Sequence, residues 1–188
     1  MNFSDLSKNL WTCVVVLMIS GCCLFSNRNL EEYFIRAKNS SPIDSVELKL
    51  ELDRTIFQQN ENIEGKLHFV NQRSADVTIN SRFSVALKKH SSSHREIYFE
   101  IYKDGKETQL IYYTLHNIYP VTKKHFVTLK PGEAYTVQTC IMRPIPLPIE
   151  KGHYKVYSIY ENYYGPEFGF PHALMGIVKS NAVEFIVE

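Results

Sequence analysis

The chain is short of the residues that staple small domains or carry chemistry. Of its four cysteines, Cys13, Cys22 and Cys23 lie near the amino terminus, so Cys140 is alone in the body and has no partner for an internal disulfide. The single tryptophan, Trp11, is also amino-terminal. The longest apolar run, Leu10 to Ile19, holds ten residues, whereas a helix needs about 20 to span a bilayer. Neither sign of charge dominates: 21 basic residues face 20 acidic ones. No basic field results that would gather nucleic acid.

Motifs of catalysis and metal binding are absent too. There is no His-Glu-x-x-His, no Gly-x-Ser-x-Gly elbow and no phosphate-cradling glycine loop. Seven histidines are scattered, and His90 and His94 flank Ser91-Ser92-Ser93, a loop composition with no Cys or acidic residue to complete a ligand set. Glu31-Glu32 stands where no pocket would split two carboxyl pKa values. Cys140, at the end of an expected strand, reads as a buried, inert thiol. The expectation is therefore a non-enzyme without metal or cofactor.

What is present is an ordinary globular composition, 44% hydrophobic and 22% charged, behind a distinctive amino terminus. Residues 1–9 are polar with one lysine, Lys8, and the ten-residue apolar run that follows has the length of a signal-peptide core. It ends in Ile19-Ser20-Gly21-Cys22. This resembles the bacterial lipobox, an aliphatic residue and two small residues before the cysteine that is lipidated. The resemblance implies cleavage between Gly21 and Cys22, diacylglycerol on the Cys22 thiol and an acyl chain, palmitate or similar, on its amine. Cys23 is either a bystander or a further acylation site. One chain anchors only marginally, at about 0.8 kcal/mol per buried CH₂, so two or three make attachment durable. The implied location is the cell membrane or outer membrane, facing periplasm or exterior. In a two-membrane envelope Cys23 is not the aspartate of inner-membrane retention, which favours the outer membrane.

Residues 22–44 read as the lipidated start and a spacer, in which Leu30 to Ala37 has the composition for two helical turns and Asn39-Ser40-Ser41-Pro42 breaks the chain. From residue 45 to 188 the dominant period is two. Val46, Leu48, Leu50 and Leu52 alternate with Glu47, Lys49 and Glu51, the mark of a strand with one wet face. Further strands are expected at Ile63 to Phe69, with Gly65 in phase, and at Val77 to Ile79. Phe83, Val85 and Leu87 suggest another, as do Ile97 to Ile101 and Leu110 to Tyr113. The rest are Phe126 to Leu129, Tyr135 to Cys140, Tyr154 to Tyr160 and Val183 to Val187. Asp104-Gly105 suits a tight hairpin, and Lys130-Pro131-Gly132-Glu133 a type II turn, Pro131 setting φ and Gly132 supplying φ > 0. Arg143 to Pro148, with three prolines, is an extended connection. Short strands with regular turns predict an all-β, antiparallel β-sandwich.

The stretch Glu150-Lys151-Gly152-His153-Tyr154-Lys155-Val156 resembles the approach to the sixth strand of immunoglobulin-like domains. In that family a tyrosine two residues before the core position bonds back to upstream backbone and pins the corner. Tyr154 is the matching residue. Val156 replaces the usual cysteine and no tryptophan lies in the body, so a fibronectin-like or other bacterial immunoglobulin-like variant is implied. Leu129 to Glu133, Gly152 to Glu161 and Gly176 to Asn181 together also look like uncharacterised bacterial surface and periplasmic sandwich domains, a layout some small proteinase inhibitors share.

Tyr157, Tyr160, Tyr163, Tyr164, Phe168 and Phe170 crowd into fourteen residues, of which Tyr163 to Pro171 reads as a loop. Rigid aromatic rings give contact area at low entropic cost, so Tyr163, Tyr164, Phe168 and Phe170 are candidate binding residues; the alternative is that they lid the sandwich core. Together these features predict a membrane-anchored, non-catalytic binding or structural domain whose partner is a protein or envelope component, not nucleic acid. A peptidase inhibitor acting through an exposed loop is the alternative function, and an envelope enzyme with a dispersed site a second one.

Overall fold

The computed structural model describes residues 46–85, 96–108, 120–144 and 147–188. Eleven strands run through them: β1 (Val46–Leu52), β2 (Ile56–Phe57), β3 (Ile63–Asn71), β4 (Val77–Asn80), β5 (Ile97–Lys103), β6 (Lys106–Thr108), β7 (Phe126–Leu129), β8 (Ala134–Met142), β9 (Gly152–Asn162), β10 (Gly176–Lys179) and β11 (Val183–Val187). They form a sheet in the order β1-β3-β8 and another in the order β2-β11-β9-β5-β6, with β10 on β9 and a separate β4-β7 pair. All pairings are antiparallel except the two-residue contact of β2 with β11. The architecture is an immunoglobulin-like β-sandwich.

Alternation dictates which face each strand buries. In β3, Ile63, Gly65, Leu67, Phe69 and Asn71 are buried while the residues between them are wetter, and Val46, Leu48 and Leu50 do the same in β1. From the opposite sheet come Ile101, Tyr154, Val156, Tyr160 and Phe185, and all these apolar side chains join one hydrophobic cluster. The layers meet through an aromatic edge, Phe69 lying 5.0 Å from Tyr160, and within one sheet Phe57 lies 5.5 Å from Phe185, both pairs nearly perpendicular. Each such contact adds about 1 kcal/mol beyond area burial. Gly65 must be small because a Cβ there would meet the Glu51 carbonyl oxygen at 2.8 Å and Ile141 Cδ1 at 3.0 Å.

The turns follow their residues. Asp104 and Gly105 both have positive φ, 47° and 79°, closing the β5–β6 hairpin in the primed geometry that matches strand twist. Gly132 has φ 77° and the Glu133 N–H donates to the Lys130 carbonyl at 3.0 Å, a type II turn before β8. The Tyr154 ring is buried, stacked 5.2 Å from Phe185, and its hydroxyl donates to the Glu150 carbonyl at 2.7 Å. Desolvation, with Glu150 and Asp104 adding repulsion, pushes that hydroxyl up to about 12. It stays a donor at every working pH.

Several strand expectations need correction. Phe83 is not in a strand: its φ is 46°, and residues 81–84 form a turn that ends in a single bridge from Val85 to Ile97. The apolar period there reflects Phe83 capping the core, stacked 4.9 Å from Phe69, and not a ladder. β2, β6 and β10 were not expected from the period; β2 and β6, two and three residues long, are too short to display one. The Leu110 to Tyr113 strand and Leu87 lie outside the described residues. Cys140 is half-buried at a bulge where Ile141 is the extra residue between Cys140 opposite Glu64 and Met142 opposite Ile63. Its thiol donates to the Met142 carbonyl and accepts from Arg143 Nε at 3.3 Å.

Replacing Tyr154 with Phe removes one donor while keeping the ring. We expect a loss of about 1 kcal/mol in urea unfolding; an unchanged midpoint would show that the hydroxyl does not pin this corner.

Candidate functional site

At one end of the sandwich a buried polar node joins three pieces of chain, residues 80–84, Glu96 and the end of β9. Arg82 and Glu96 pair in two places, Nη2 to Oε1 at 2.6 Å and Nε to Oε2 at 3.0 Å, with side chains only 6% and 1% exposed. The second Glu96 oxygen also accepts from the Ser84 N–H at 3.0 Å, and the first from Asn80 Nδ2 at 3.1 Å. Asn80 Nδ2 donates to Asn162 Oδ1 as well. The Tyr160 hydroxyl accepts from the Asn80 N–H at 2.9 Å inside the core, where desolvation pushes its pKa far up. Burial raises the Glu96 carboxyl above its ordinary range, and Arg82 opposes that shift. Burial is the larger effect.

The aromatic loop grows out of this node. Asn162 Nδ2 donates to the carbonyls of Tyr164 and Leu174, both at 2.8 Å, and Asn162 Oδ1 accepts from the Tyr164 N–H. Glu167 accepts from the Gly165 N–H, Pro166–Phe168 make one 3₁₀ turn, and Gly169 leaves it at φ 88°. A Cβ on Gly165 would sit 2.4 Å from the Ala173 methyl, so only glycine fits. The four candidate rings divide between two environments. Phe168 and Phe170 lie 5.5 and 4.7 Å from Phe126 of β7, the second pair stacked, and all three are half-buried. Tyr163 donates to the Glu161 carboxylate, and the Tyr164 hydroxyl is pushed up by desolvation with Arg82 and Glu96 nearby. Phe168 and Phe170 thus share a platform with Phe126, with the Tyr164 ring edge-on to Phe168 at 6.3 Å, whereas the two tyrosine hydroxyls serve the polar side.

Beside the platform, Thr122 N–H donates to His125 Nδ1 at 3.1 Å, and partial burial with Lys124 and Arg82 holds that imidazole below its usual pKa. Among the described residues no three His, Cys, Asp or Glu side chains gather to hold a metal ion. Gly21, Cys22, Cys23, Glu31, Glu32, His90 and His94 lie outside the described residues. Asn80, Arg82, Glu96 and Asn162 had no signal in the sequence, and Phe126 was legible only as the start of a strand. A lone Arg and Glu beside apolar runs read like any surface pair.

A second feature is a groove of about 740 Å³ between β1 and β10, lined by Leu48, Leu50, Ile177, Val178 and Asn181 among others. Asn181 closes one end. Its Oδ1 accepts from the Leu50 N–H at 2.8 Å and its Nδ2 donates to the Leu50 carbonyl at 3.0 Å.

No protein-family model matches the chain, and no curated protein does. Among solved structures it is similar to the sporulation control protein Spo0M of Bacillus subtilis, at 16% identity and a TM-score of 0.37. That match covers 78% of this chain and 50% of that one, so it spans half of the Spo0M chain. A CARDB domain of a Pyrococcus furiosus protein, solved in complex with di-metal ions, is similar at 13% identity and a TM-score of 0.34, covering 80% of this chain and 95% of that one.

Arg82→Ala would leave Glu96 buried and unpaired, and we expect a loss of about 3 kcal/mol. The sign with pH follows from the raised carboxyl. A group whose folded pKa lies above its unfolded value stabilises fully below the unfolded pKa, and that contribution fades as pH rises through the folded one. Losing Arg82 removes the main influence that lowers the Glu96 carboxyl, so the variant's deficit should grow in denaturant melts as pH rises above the ordinary carboxylate range. An equal deficit below and above that range would mean that Glu96 does not carry the effect.

Proposed function

We propose that this chain is a lipid-anchored, non-catalytic binding module of a bacterial envelope, held through Cys22 and contacting a protein or envelope component through the platform of Phe126, Phe168 and Phe170. The observation that carries the reading is the state of that platform. Phe170 stacks on Phe126 and Phe168 lies tilted against the same ring, all three half-exposed and carried on a segment fixed by Asn162, Glu167 and a glycine turn. Rings already held in place lose little entropy when a partner covers them. A core lid would need its rings covered by the domain itself; these keep an open face.

The lipobox resemblance supplies the anchor and residues 22–44 the spacer, so that a partner is met close to a membrane surface. With acyl chains on Cys22, attachment is durable, and the module works at a raised effective concentration toward anything in the same bilayer.

Two experiments test the two halves separately. In cells, Cys22→Ala should abolish metabolic fatty-acid labelling and leave uncleaved precursor; labelling that persists moves the lipid to Cys23 or removes the anchor. Crosslinking in intact cells should capture a discrete partner, and the double substitution Phe168→Ser with Phe170→Ser should lose it. Its melting temperature should stay within a few degrees of the parent, about 1 kcal/mol. Unfolding of the double variant would instead assign these rings to the core.

A further inference from the structure

We infer that the groove between β1 and β10 receives an extended polypeptide strand from a partner protein, paired antiparallel to β1. The case begins with ladder parity. In an antiparallel strand, N–H and C=O groups of alternate residues point to opposite edges. Leu50 turns both groups away from β3, toward Asn181, so Leu48 turns its own pair outward too. On β10 the Ser180 N–H bonds the Ser158 carbonyl at 2.9 Å, which places Val178 toward β9 and Ile177 toward the open edge. The outward backbone groups of Leu48 and Ile177 have no partner among the described residues. Two strand edges thus face one groove.

Asn181 shows what complements such an edge. A primary amide is a peptide group in miniature, and here it gives Leu50 one acceptor and one donor, the pair a neighbouring strand would offer. The stand-in stops at one residue and leaves the next outward pair, Leu48, open. Both strands run toward the Asn181 junction, so a segment antiparallel to β1 also runs opposite to β10.

Charge narrows the occupant further. The rim lysines are each paired, Lys49 with Glu47 at 3.3 Å and Lys179 with Glu100 at 2.8 Å, and Glu51 lies 3.0 Å from His68 Nε2. What the groove leaves unmatched is backbone polarity and the Ile177 side chain, which is 51% exposed. The complement is an uncharged extended backbone with an apolar side chain over Ile177. A nucleic acid or an anionic lipid headgroup would meet no spare cation there. Strand addition takes affinity from main-chain bonds and selectivity from alternate side chains.

The test uses the full chain and a random decapeptide display library panned against it. In the free protein, the Leu48 and Ile177 amides should exchange with deuterium quickly while those of Lys49 and Val178 are protected. A selected decapeptide should carry alternating apolar residues without proline and should protect Leu48 and Ile177. Ile177→Pro removes an outward donor without touching a bond to β9, a position where an edge strand tolerates proline. It should weaken the peptide about fivefold, the equivalent of one hydrogen bond. Asn181→Ala frees the Leu50 pair and should tighten binding or shift protection to Leu50. Amides of Leu48 and Ile177 already protected in the free chain would overturn the proposal, because the edge is then occupied by this chain's own residues. Protection that rises with protein concentration alone would overturn it in favour of a second copy. A selected peptide that binds Ile177→Pro as tightly as the parent and protects residues 163–171 instead would also overturn it.

Discussion

The buried pair of Arg82 and Glu96 is the constraint on which the described end of the domain depends. Neither group would stand in the interior alone, since moving one uncompensated ion out of water costs several kcal/mol. Their positions are therefore specified together. Glu96 directly precedes β5, Arg82 follows β4, and Asn80 ties both to Asn162 at the end of β9. The bidentate contact thus fixes β4 against β5, and Asn80 carries the constraint on to β9. Hydrophobic matching alone would allow any of these strands to slip.

From that node the remaining end of the sandwich follows by hydrogen-bond accounting. Asn162 satisfies two carbonyls and one N–H of the 163–174 segment, groups that a buried loop cannot leave open without cost. The loop is consequently rigid despite having no regular structure beyond one 3₁₀ turn. Its phenylalanines land on Phe126 because β7 is paired to β4, and the β4 carbonyl of Thr78 accepts from the Leu174 N–H at 2.7 Å. The aromatic platform is a downstream product of the polar node.

Those facts explain what could be read in the sequence. Long strands announced themselves: in β1 and β3 one face is core and the other wetter over seven and nine residues, and the first half of β9 alternates in the same way before both its faces are covered, enough to display a period of two. The turns at Asp104-Gly105 and Pro131-Gly132 were legible because only certain residues accept positive φ. Phe83 misled because burial, which the apolar pattern reports, does not distinguish a ladder strand from a turn that caps the core. The node was illegible for a different reason. Arg82 and Glu96 are fourteen positions apart and Asn162 is far beyond both, so no local spacing encodes their meeting. The aromatic cluster could be seen as a composition, but its division into a phenylalanine platform and two polar-facing tyrosines depended on that node.

The sheet edge at β10 and β11 shows how a single irregularity shapes a surface. Register along β9 advances by one residue between Lys179 opposite Ile159 and Val183 opposite Val156, so the 180–182 segment holds one residue more than β9 can pair. A bulge of that kind bends the strand. Here its exposed polarity is absorbed by side chains: the Ser180 hydroxyl accepts from the Ser158 N–H in place of a carbonyl and donates to the Asn181 carbonyl, and the Asn181 amide turns to β1. Without the extra residue, the edge would continue as one strand and Asn181 would point into the ladder or the core, unable to reach Leu50. The bulge therefore does two jobs at once. It bonds the two sheets at one point, and it ends that bonding one residue short of the open edge, which is why a groove exists beside Leu48 at all.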